Sequence, residues 1–270
     1  MNTTLSYGKE QIFTSEKMQR FPTLGRLVKT VFGYTNVGNY ARFQVFKRIM
    51  RKMNLSENAK ILDLGAGYGE YSFSLAKALP KAQVHALDTD AHRVAIIERA
   101  INQSEVKNVS THCCELKAIV HKDFDFIFSI DVFEHILPEE MPFEAAMERL
   151  NPGGLLMVKI PNKVQHTILP EGWFEDHHHW LEDEHVGQVY NLEGLTQRFK
   201  EEGFDVVYSS CSDGWLSRLG WELAYLGKKA GLFTQLISLP VAKLLIHLDR
   251  FFFNGKHGNA IQVIGQKPQS

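Results

Sequence analysis

The sequence is poor in cysteine: its 270 residues include only Cys113, Cys114 and Cys211. Neither their number nor their spacing suits a disulfide framework or a paired-cysteine metal site, so we expect a reducing compartment. Residues 1–8 are polar and lack the apolar core of a signal peptide, which leads to the same expectation. We therefore predict a cytoplasmic protein.

The sequence also lacks an excess of charged residues of either sign. Thirty basic residues against 31 acidic ones give a formal charge of -1 at pH 7, so no overall field attracts nucleic acid. No basic stripe or RNA-binding motif is present either, and we expect no nucleic-acid partner. A hydrophobic share of 44% is ordinary for a globular protein and predicts one full core with an appendage.

The most informative stretch of the sequence is rich in glycine and covers residues 61–69. A short apolar run, residues 61–64, is followed by Gly65, Gly67 and Gly69 and then by a helical pattern. This order is typical of a buried parallel strand that ends in a glycine loop at the start of a helix. Because glycine has no β-carbon, the backbone of such a loop lets a ligand approach closely.

The spacing of the loop separates two classes of ligand. A dinucleotide-binding loop has its third glycine three residues after the second, where this chain has Glu70, whose charge would repel a pyrophosphate. The next predicted strand ends at Asp88, about 20 residues beyond the loop, where a carboxylate can accept hydrogen bonds from both hydroxyls of a ribose. A nucleoside ligand without a pyrophosphate is therefore favoured over a dinucleotide.

Four motifs in this order resemble the class I S-adenosylmethionine-dependent methyltransferases. They are Asp63-Leu-Gly-Ala-Gly-Tyr-Gly69, Asp88, residues 124–135 and residues 150–154, and the resemblance extends in outline over residues 60–267. It implies an α/β fold with a Rossmann-like, seven-stranded, mostly parallel sheet, an antiparallel last strand and helices on both faces. It also implies S-adenosyl-L-methionine as the cofactor and a methyl acceptor that family membership does not name.

The resemblance assigns the cofactor to the loop and to the ends of the following strands. The residues at these positions are Asp63, Gly65, Ala66, Gly67, Tyr68, Asp88, Thr89, Glu115 and Asp131. Glu115 stands close to the position of the acid beside the adenine, although Cys113 and Cys114 replace the residues usual before it. Arg42, or Tyr40, lies in a predicted amphipathic helix, residues 38–53, that would close over the cofactor and meet its carboxylate.

The acceptor side is predicted at the end of the fourth strand, residues 125–130, because open α/β sheets bind ligands at that edge. Asp131, Glu134 and His135 follow this strand, and histidine can take up a proton near neutral pH. A purely structural role for Glu134 and His135 at a helix end is the alternative. His185 closes a loop rich in aromatic and imidazole groups that is expected to cover the acceptor. We predict catalytic roles for Asp131, His135 and His185.

The same acidic and imidazole residues resemble the ligands of metal-using methyltransferases, namely the small-RNA terminal 2'-O-methyltransferases and some ubiquinone-pathway O-methyltransferases. Oxygen and imidazole ligands together can hold a divalent cation that lowers the pKa of an acceptor hydroxyl. The ligand distant in sequence would be one of His177, His178, His179 or His185. Our prediction is a site without metal, and the alternatives are a metal-dependent 2'-O-type RNA methyltransferase and a noncatalytic S-adenosylmethionine-binding protein.

Three parts are predicted along the chain: an N-terminal helical cap (1–58), the methyltransferase domain (59–212 and 258–268) and a helical insert (213–257). The insert resembles two amphipathic helices whose apolar run is interrupted by Gln235, Pro240, Lys243 and His247, so we expect a lid or an interfacial segment instead of a membrane span. It suggests O-methylation of an apolar or lipid-linked small molecule, with peripheral contact of residues 215–253 at the inner membrane face as a further expectation. The oligomeric state is left open.

Overall fold

The computed structural model describes residues 23, 27, 30, 36–176, 185–187 and 190–269. Its sheet consists of β1 (Lys60–Leu64), β2 (Gln83–Asp88), β3 (Val109–Cys113), β4 (Phe124–Ile130), β5 (Leu150–Pro161), β6 (Asp205–Ser212) and β7 (Ala260–Gln266). The strand order is β3-β2-β1-β4-β5-β7-β6, with β1 to β5 paired in parallel and β7 antiparallel to both its neighbours. The predicted fold class is therefore confirmed.

The helices are α1 (Val37–Lys52), α2 (Glu70–Ala78), α3 (Ala91–Gln103), α4 (Phe143–Arg149), α5 (Leu192–Glu201), α6 (Trp215–Lys229) and α7 (Leu232–Phe252). Three of them begin at a polar side chain whose oxygen accepts a hydrogen bond from a backbone N–H of the first turn: Asn36, Asp90 and Asn191. These caps satisfy N–H groups that have no partner inside the helix.

Successive residues of the central strands face opposite sides of the sheet. Ile61 and Phe126 pack with residues of α1, α2 and α3, whereas Leu62 and Ile127 pack with residues of α4 and α5. Both faces are therefore covered, which explains why these strands are continuously apolar in sequence instead of alternating with polar residues.

Residues 150–154 differ from the turn that their composition suggests. They begin β5, and the pairing with β4 shifts register between Phe124, opposite Leu150, and Phe126, opposite Leu155. Gly154 is needed here because a β-carbon would lie 2.9 Å from the carbonyl oxygens of Asn151 and Phe124. The glycines thus serve a bulge within the strand and not a connection between two elements.

The insert forms a helical hairpin of α6 and α7 between β6 and β7. A third apolar cluster joins Val37 and Ala41 of α1 to Ala224 of α6 and to Leu239 and Ala242 of α7. The hairpin therefore packs on the first turns of α1, and removing the whole insert would expose Val37 and Ala41.

Candidate active site

The glycine loop after β1 has a left-handed backbone at three positions: φ is 76° at Gly65, 56° at Gly67 and 78° at Gly69. At Gly65 a β-carbon would lie 2.3 Å from Cγ2 of Val132, so glycine allows close packing against the segment after β4. At Gly67 nothing lies within 4 Å of such a β-carbon. Gly67 therefore presents bare backbone to open space, as a loop that cradles a ligand requires.

Asp88 at the end of β2 is buried and turned toward this loop. Its Oδ2 accepts a hydrogen bond from the N–H of Gly67 at 2.7 Å, and its Oδ1 accepts one from the N–H of Asp90 at 3.0 Å. These two bonds fix the orientation of the carboxylate at the edge where open α/β sheets bind ligands.

The loop and Asp88 line one cavity with a volume of about 1490 Å³. Small-molecule sites commonly measure roughly 300–1,000 Å³, so this cavity has room for a nucleoside cofactor and an acceptor together. The predicted site residues on its wall are Arg42, Gly65, Ala66, Gly67, Tyr68, Asp88, Thr89, Glu115, Asp131, His135 and His185. Bare glycine backbone beside an oriented, buried carboxylate fits S-adenosylmethionine.

Asp63 differs from the expectation of direct cofactor contact, because it does not line the cavity. It shares the face of β1 that packs under α2 and accepts a hydrogen bond from the hydroxyl of Ser72 at 2.6 Å. Burial raises the pKa of Asp63 to about 7. This side chain joins the strand to the helix beneath the loop.

Asp131 follows β4, at the edge of the sheet predicted for the acceptor, and has a left-handed backbone, φ 54°. One carboxylate oxygen accepts a hydrogen bond from Nζ of Lys159 at 3.1 Å, and the other forms an ion pair with Nε of Arg42. Although burial favours the neutral acid, Arg42 and Lys159 hold the pKa of Asp131 below its ordinary value. Asp131 is therefore an ionised anchor for two cations, which makes it a poor proton acceptor.

Lys159 is a site residue that the sequence reasoning missed. Only 2% of its side chain is exposed, and its Nζ also lies 3.8 Å from a carboxylate oxygen of Asp213. The sequence does contain a signal for it, a single lysine inside the apolar run of β5. A buried charge requires a partner, so this lysine indicates a nearby carboxylate.

At the turn Phe133–His135, a histidine distant in sequence meets two neighbouring residues of the turn. The rings of His135 and His185 lie 5.0 Å apart and nearly perpendicular, at 80°. The ligand atoms of these two histidines and of Glu134 all lie within 4.8 Å of one another. Among the described residues, His185 is the distant histidine of this group. His177, His178 and His179 lie outside the described residues.

Glu134 is 1% exposed, and its Oε2 has no hydrogen-bond partner among the residues described. Burial, and next the charge of Asp131, raise the pKa of Glu134 well above its ordinary value. Its carbonyl oxygen accepts a hydrogen bond from the N–H of Gly187 at 2.7 Å, which holds the segment of His185 against the turn. A β-carbon at Gly187 would lie 2.1 Å from the carbonyl oxygen of Ile136, so this contact depends on glycine.

The remaining predicted residues lie at the edges of the site. Glu115 is exposed and forms an ion pair with Lys117 at 2.7 Å. Tyr40 does not line the cavity; it packs against the cluster that joins α1 to the hairpin, with Nζ of Lys243 5.5 Å from its ring centroid. Of the two side chains proposed for the cofactor carboxylate, only Arg42 lies on the cavity wall.

The insert also contributes to the cavity wall, through Ser217, Arg218 and Trp221 of α6. Arg218 forms an ion pair with the buried Glu222 at 2.7 Å, and Glu222 also accepts a hydrogen bond from the N–H of Leu169 at 2.9 Å. This buried carboxylate thereby ties α6 to the segment that follows β5.

A Rossmann-like sheet with these motifs defines a class I S-adenosylmethionine-dependent methyltransferase domain. A family model described as "Methyltransferase domain" matches residues 37–209, and the chain belongs to this family. The predicted family, enzyme class and cofactor are thereby confirmed.

Known proteins similar to this chain differ in the acceptor that their names give. The chain is 27% identical to phosphoethanolamine N-methyltransferase 1 of Arabidopsis thaliana over 71% of its own length and 37% of that protein. It is 25% identical to malonyl-[acyl-carrier protein] O-methyltransferase of Bacillus cereus over 46% of its length and 45% of that protein. The chain thus spans less than half the length of either relative.

The fold is similar to that of phosphoethanolamine N-methyltransferase 2 of Haemonchus contortus in complex with S-adenosyl-L-methionine, with a TM-score of 0.60. The two share 18% identity over 90% of this chain and 59% of that one. At this identity the likeness shows the fold alone.

Proposed function

We propose that the protein transfers the methyl group of S-adenosylmethionine to an oxygen atom of an apolar or lipid-linked small molecule. The observation that carries this proposal is the pairing of His135 with His185 in the cavity that the glycine loop and Asp88 also line. A hydroxyl must lose its proton as it is methylated, and a histidine can accept that proton near neutral pH. A neutral amine acceptor would not need such a base.

Each part of the site has a separate task in this proposal. Asp88 accepts hydrogen bonds from the ribose hydroxyls, and Arg42, anchored by Asp131, pairs with the carboxylate of the cofactor. The bound cofactor supplies a methyl group on a positively charged sulfur. His135 accepts the proton of the acceptor hydroxyl, and His185 holds the acceptor beside it. The cavity wall positions the acceptor oxygen for in-line attack on the methyl group, which can supply much of the rate.

The acceptor atom is not decided by the relatives, because one name specifies an N-methyltransferase and another an O-methyltransferase. An apolar acceptor is supported instead by Trp221 on the cavity wall and by the hairpin that carries it. A noncatalytic binding protein is the alternative from another class; it would bind the cofactor and transfer nothing.

The test is to incubate the full chain with methyl-labelled S-adenosylmethionine and a membrane lipid extract, and to identify labelled products by mass spectrometry and NMR. We expect a methyl ether or ester that forms with the wild type and is strongly reduced with His135→Ala. Label found only on nitrogen would contradict the acceptor atom. Cofactor binding by calorimetry without transfer to any fraction would favour the binding protein.

A metal-assisted form of the same reaction is a second candidate. It is supported by the closeness of Glu134, His135 and His185 and by the buried Oε2 of Glu134, which has no partner among the described residues. A divalent cation held by these groups would lower the pKa of an acceptor hydroxyl. Activity that is lost on chelation and restored by magnesium or manganese would establish this form. Full activity after chelation would exclude it.

A further inference from the structure

The last helix of the hairpin, α7, is apolar on two opposite faces. Its inner face is buried through Leu239, Ala242 and Ile246. On the opposite side lie large apolar side chains at helical spacing, which we call the outer face: Phe233, Ile237, Val241, Leu244, Phe251 and Phe252. They are 48% to 78% exposed, and the spacing of three, four or seven residues places most of them on one stripe.

This stripe is unusual within the part of the chain that the structure describes. All the exposed phenylalanines of that part, Phe233, Phe251 and Phe252, lie on it. Trp215, 56% exposed, begins the neighbouring helix of the antiparallel pair. A contiguous exposed apolar surface of this kind marks a protein or membrane contact.

The charges of the hairpin indicate what that contact is. Residues 215–253 contain five Lys or Arg and two Asp or Glu, in a chain whose formal charge is -1. Both acids are buried: Glu222 is 0% and Asp249 2% exposed. The exposed charges of this segment, Lys228, Lys229 and Arg250, are therefore all basic. Lys229 is offset by its ion pair with Asp176 at 2.7 Å, so Lys228 and Arg250 form the basic border of this surface.

A basic border favours an anionic occupant over a second copy of the chain. In a symmetric dimer the same patch meets itself, so the basic side chains of the two copies would lie close together. Anionic lipid headgroups would attract these cations, while the aromatic and aliphatic groups enter the upper acyl region.

The helix is fixed on the domain, which determines how it can meet a bilayer. With 21 residues and a mean hydropathy of 1.3, α7 is long and apolar enough to cross a membrane by those two measures alone. However, Asp249 accepts hydrogen bonds from the N–H groups of Gly214, Leu216 and Ser217 at 3.1–3.2 Å. A spanning orientation would break these bonds and uncover the inner face, whereas a helix lying flat keeps both.

We propose that the outer face of α7 lies flat on an anionic lipid surface. The inference goes beyond the proposed function, because binding to a bilayer requires neither cofactor nor methyl transfer. The inference also suggests how α6 contributes to acceptor binding. Ser217, Arg218 and Trp221 line the cavity from the helix adjoining α7, so a docked hairpin would hold this wall beside the membrane that contains a lipid-linked acceptor.

The experiment is co-sedimentation of the full chain with vesicles of phosphatidylcholine alone or mixed equally with phosphatidylglycerol. We expect binding to the anionic vesicles at low salt and partial release at high salt, because salt screens exposed charge contacts. A matched pair of variants isolates the surface. Phe233→Glu with Leu244→Glu changes the outer face, whereas Val120→Glu with Val207→Glu adds the same charge at exposed apolar residues elsewhere.

The outer-face variant should bind anionic vesicles at least about tenfold more weakly, and the control should bind as the wild type does. Since these four positions are exposed, both variants should keep the wild-type melting temperature and cofactor affinity, which separates this test from that of the proposed function. Equal binding of the two variants, or equal binding to neutral and anionic vesicles, would overturn the proposal. So would a dimer that forms without lipid and is dissociated by the outer-face change.

Discussion

Asp88 and Gly67 are joined by a hydrogen bond of 2.7 Å from the loop N–H to the carboxylate, across 21 residues of sequence. The end of β2 and the glycine loop after β1 therefore form one unit. The same carboxylate is the group expected to bind the ribose, so the shape of the loop and the recognition of the cofactor depend on one side chain.

Asp88→Ala should weaken S-adenosylmethionine binding by about 3 kcal/mol, roughly a hundredfold in Kd, because two charge-assisted hydrogen bonds to the ribose are lost. Calorimetry measures this directly. Asp90→Ala is the control: it removes the cap of α3 two residues further on and should leave the affinity unchanged. Equal affinities for wild type and Asp88→Ala would remove the ribose assignment.

Gly67→Val should reduce cofactor binding more than Asp88→Ala does. A β-carbon at Gly67 would meet no protein atom within 4 Å, so the valine side chain would extend into the space left for the ligand. The left-handed φ of 56° adds backbone strain of about 1–2 kcal/mol for any residue with a β-carbon. Gly231→Val is a matched control, because Gly231 also has a positive φ, 116°, and open space around it, and it does not line the cavity. An equal loss of cofactor affinity in the two variants would point to a general effect of backbone strain, and an unchanged affinity for Gly67→Val would contradict exclusion.

His135→Ala and His185→Ala should each lower kcat while leaving the Kd for S-adenosylmethionine within about twofold of the wild type. Loss of a general base costs typically 10²–10⁴-fold in rate, and we expect about that range for His135 and a smaller loss for His185. His92→Ala, an exposed position on α3, is the control for loss of an imidazole. If cofactor binding falls in parallel with kcat, the two histidines support the structure and take no part in the reaction.

Elements built from local sequence signals could be predicted. The strand β2 ends at Asp88 as predicted, because a short apolar run closed by an acid has a clear pattern. The glycine loop could be predicted because three closely spaced glycines follow the apolar residues of β1. The motif does not tell which face of β1 the side chain of Asp63 takes, and the structure places it off the cavity wall, bonded to Ser72.

Contacts between distant segments had no such signal. Arg42 and Asp131 belong to α1 and to the end of β4, and nothing in either segment specifies the other. The contact of Gly187 with the turn of Glu134 likewise arises only when a loop folds back across the site. Nor did the sequence predict that His85 meets His112, which follows from the parallel register of Leu87 opposite His112 on neighbouring strands.

That histidine pair leads to a prediction on stability. His85 is 5% exposed, with its Nδ1 2.9 Å from Nε2 of His112 and its ring centroid 4.6 Å from that of His121. Burial, together with the charges of His112, His121 and Lys60, lowers the pKa of His85 to about 4. In the unfolded chain a histidine titrates near ~6.5. Between these two pH values the unfolded state binds more protons, so this group's contribution to stability is complete above about pH 6.5 and is lost as the pH falls toward 4.

The measurement is the free energy of unfolding of wild type and His85→Gln at about pH 7.5 and about pH 5. On acidification the wild type should lose about 1–2 kcal/mol more than the variant, since one pKa unit is worth about 1.4 kcal/mol and pH 5 lies within the titration range. The comparison must be between the two proteins, because the raised pKa of Asp63 acts in the opposite direction in both. A chelator is required, because the three imidazoles place ligand atoms within 4.8 Å of one another and can bind a transition metal. His92→Gln should follow the wild type, and an identical loss in all three proteins would show that His85 is not held neutral by its surroundings.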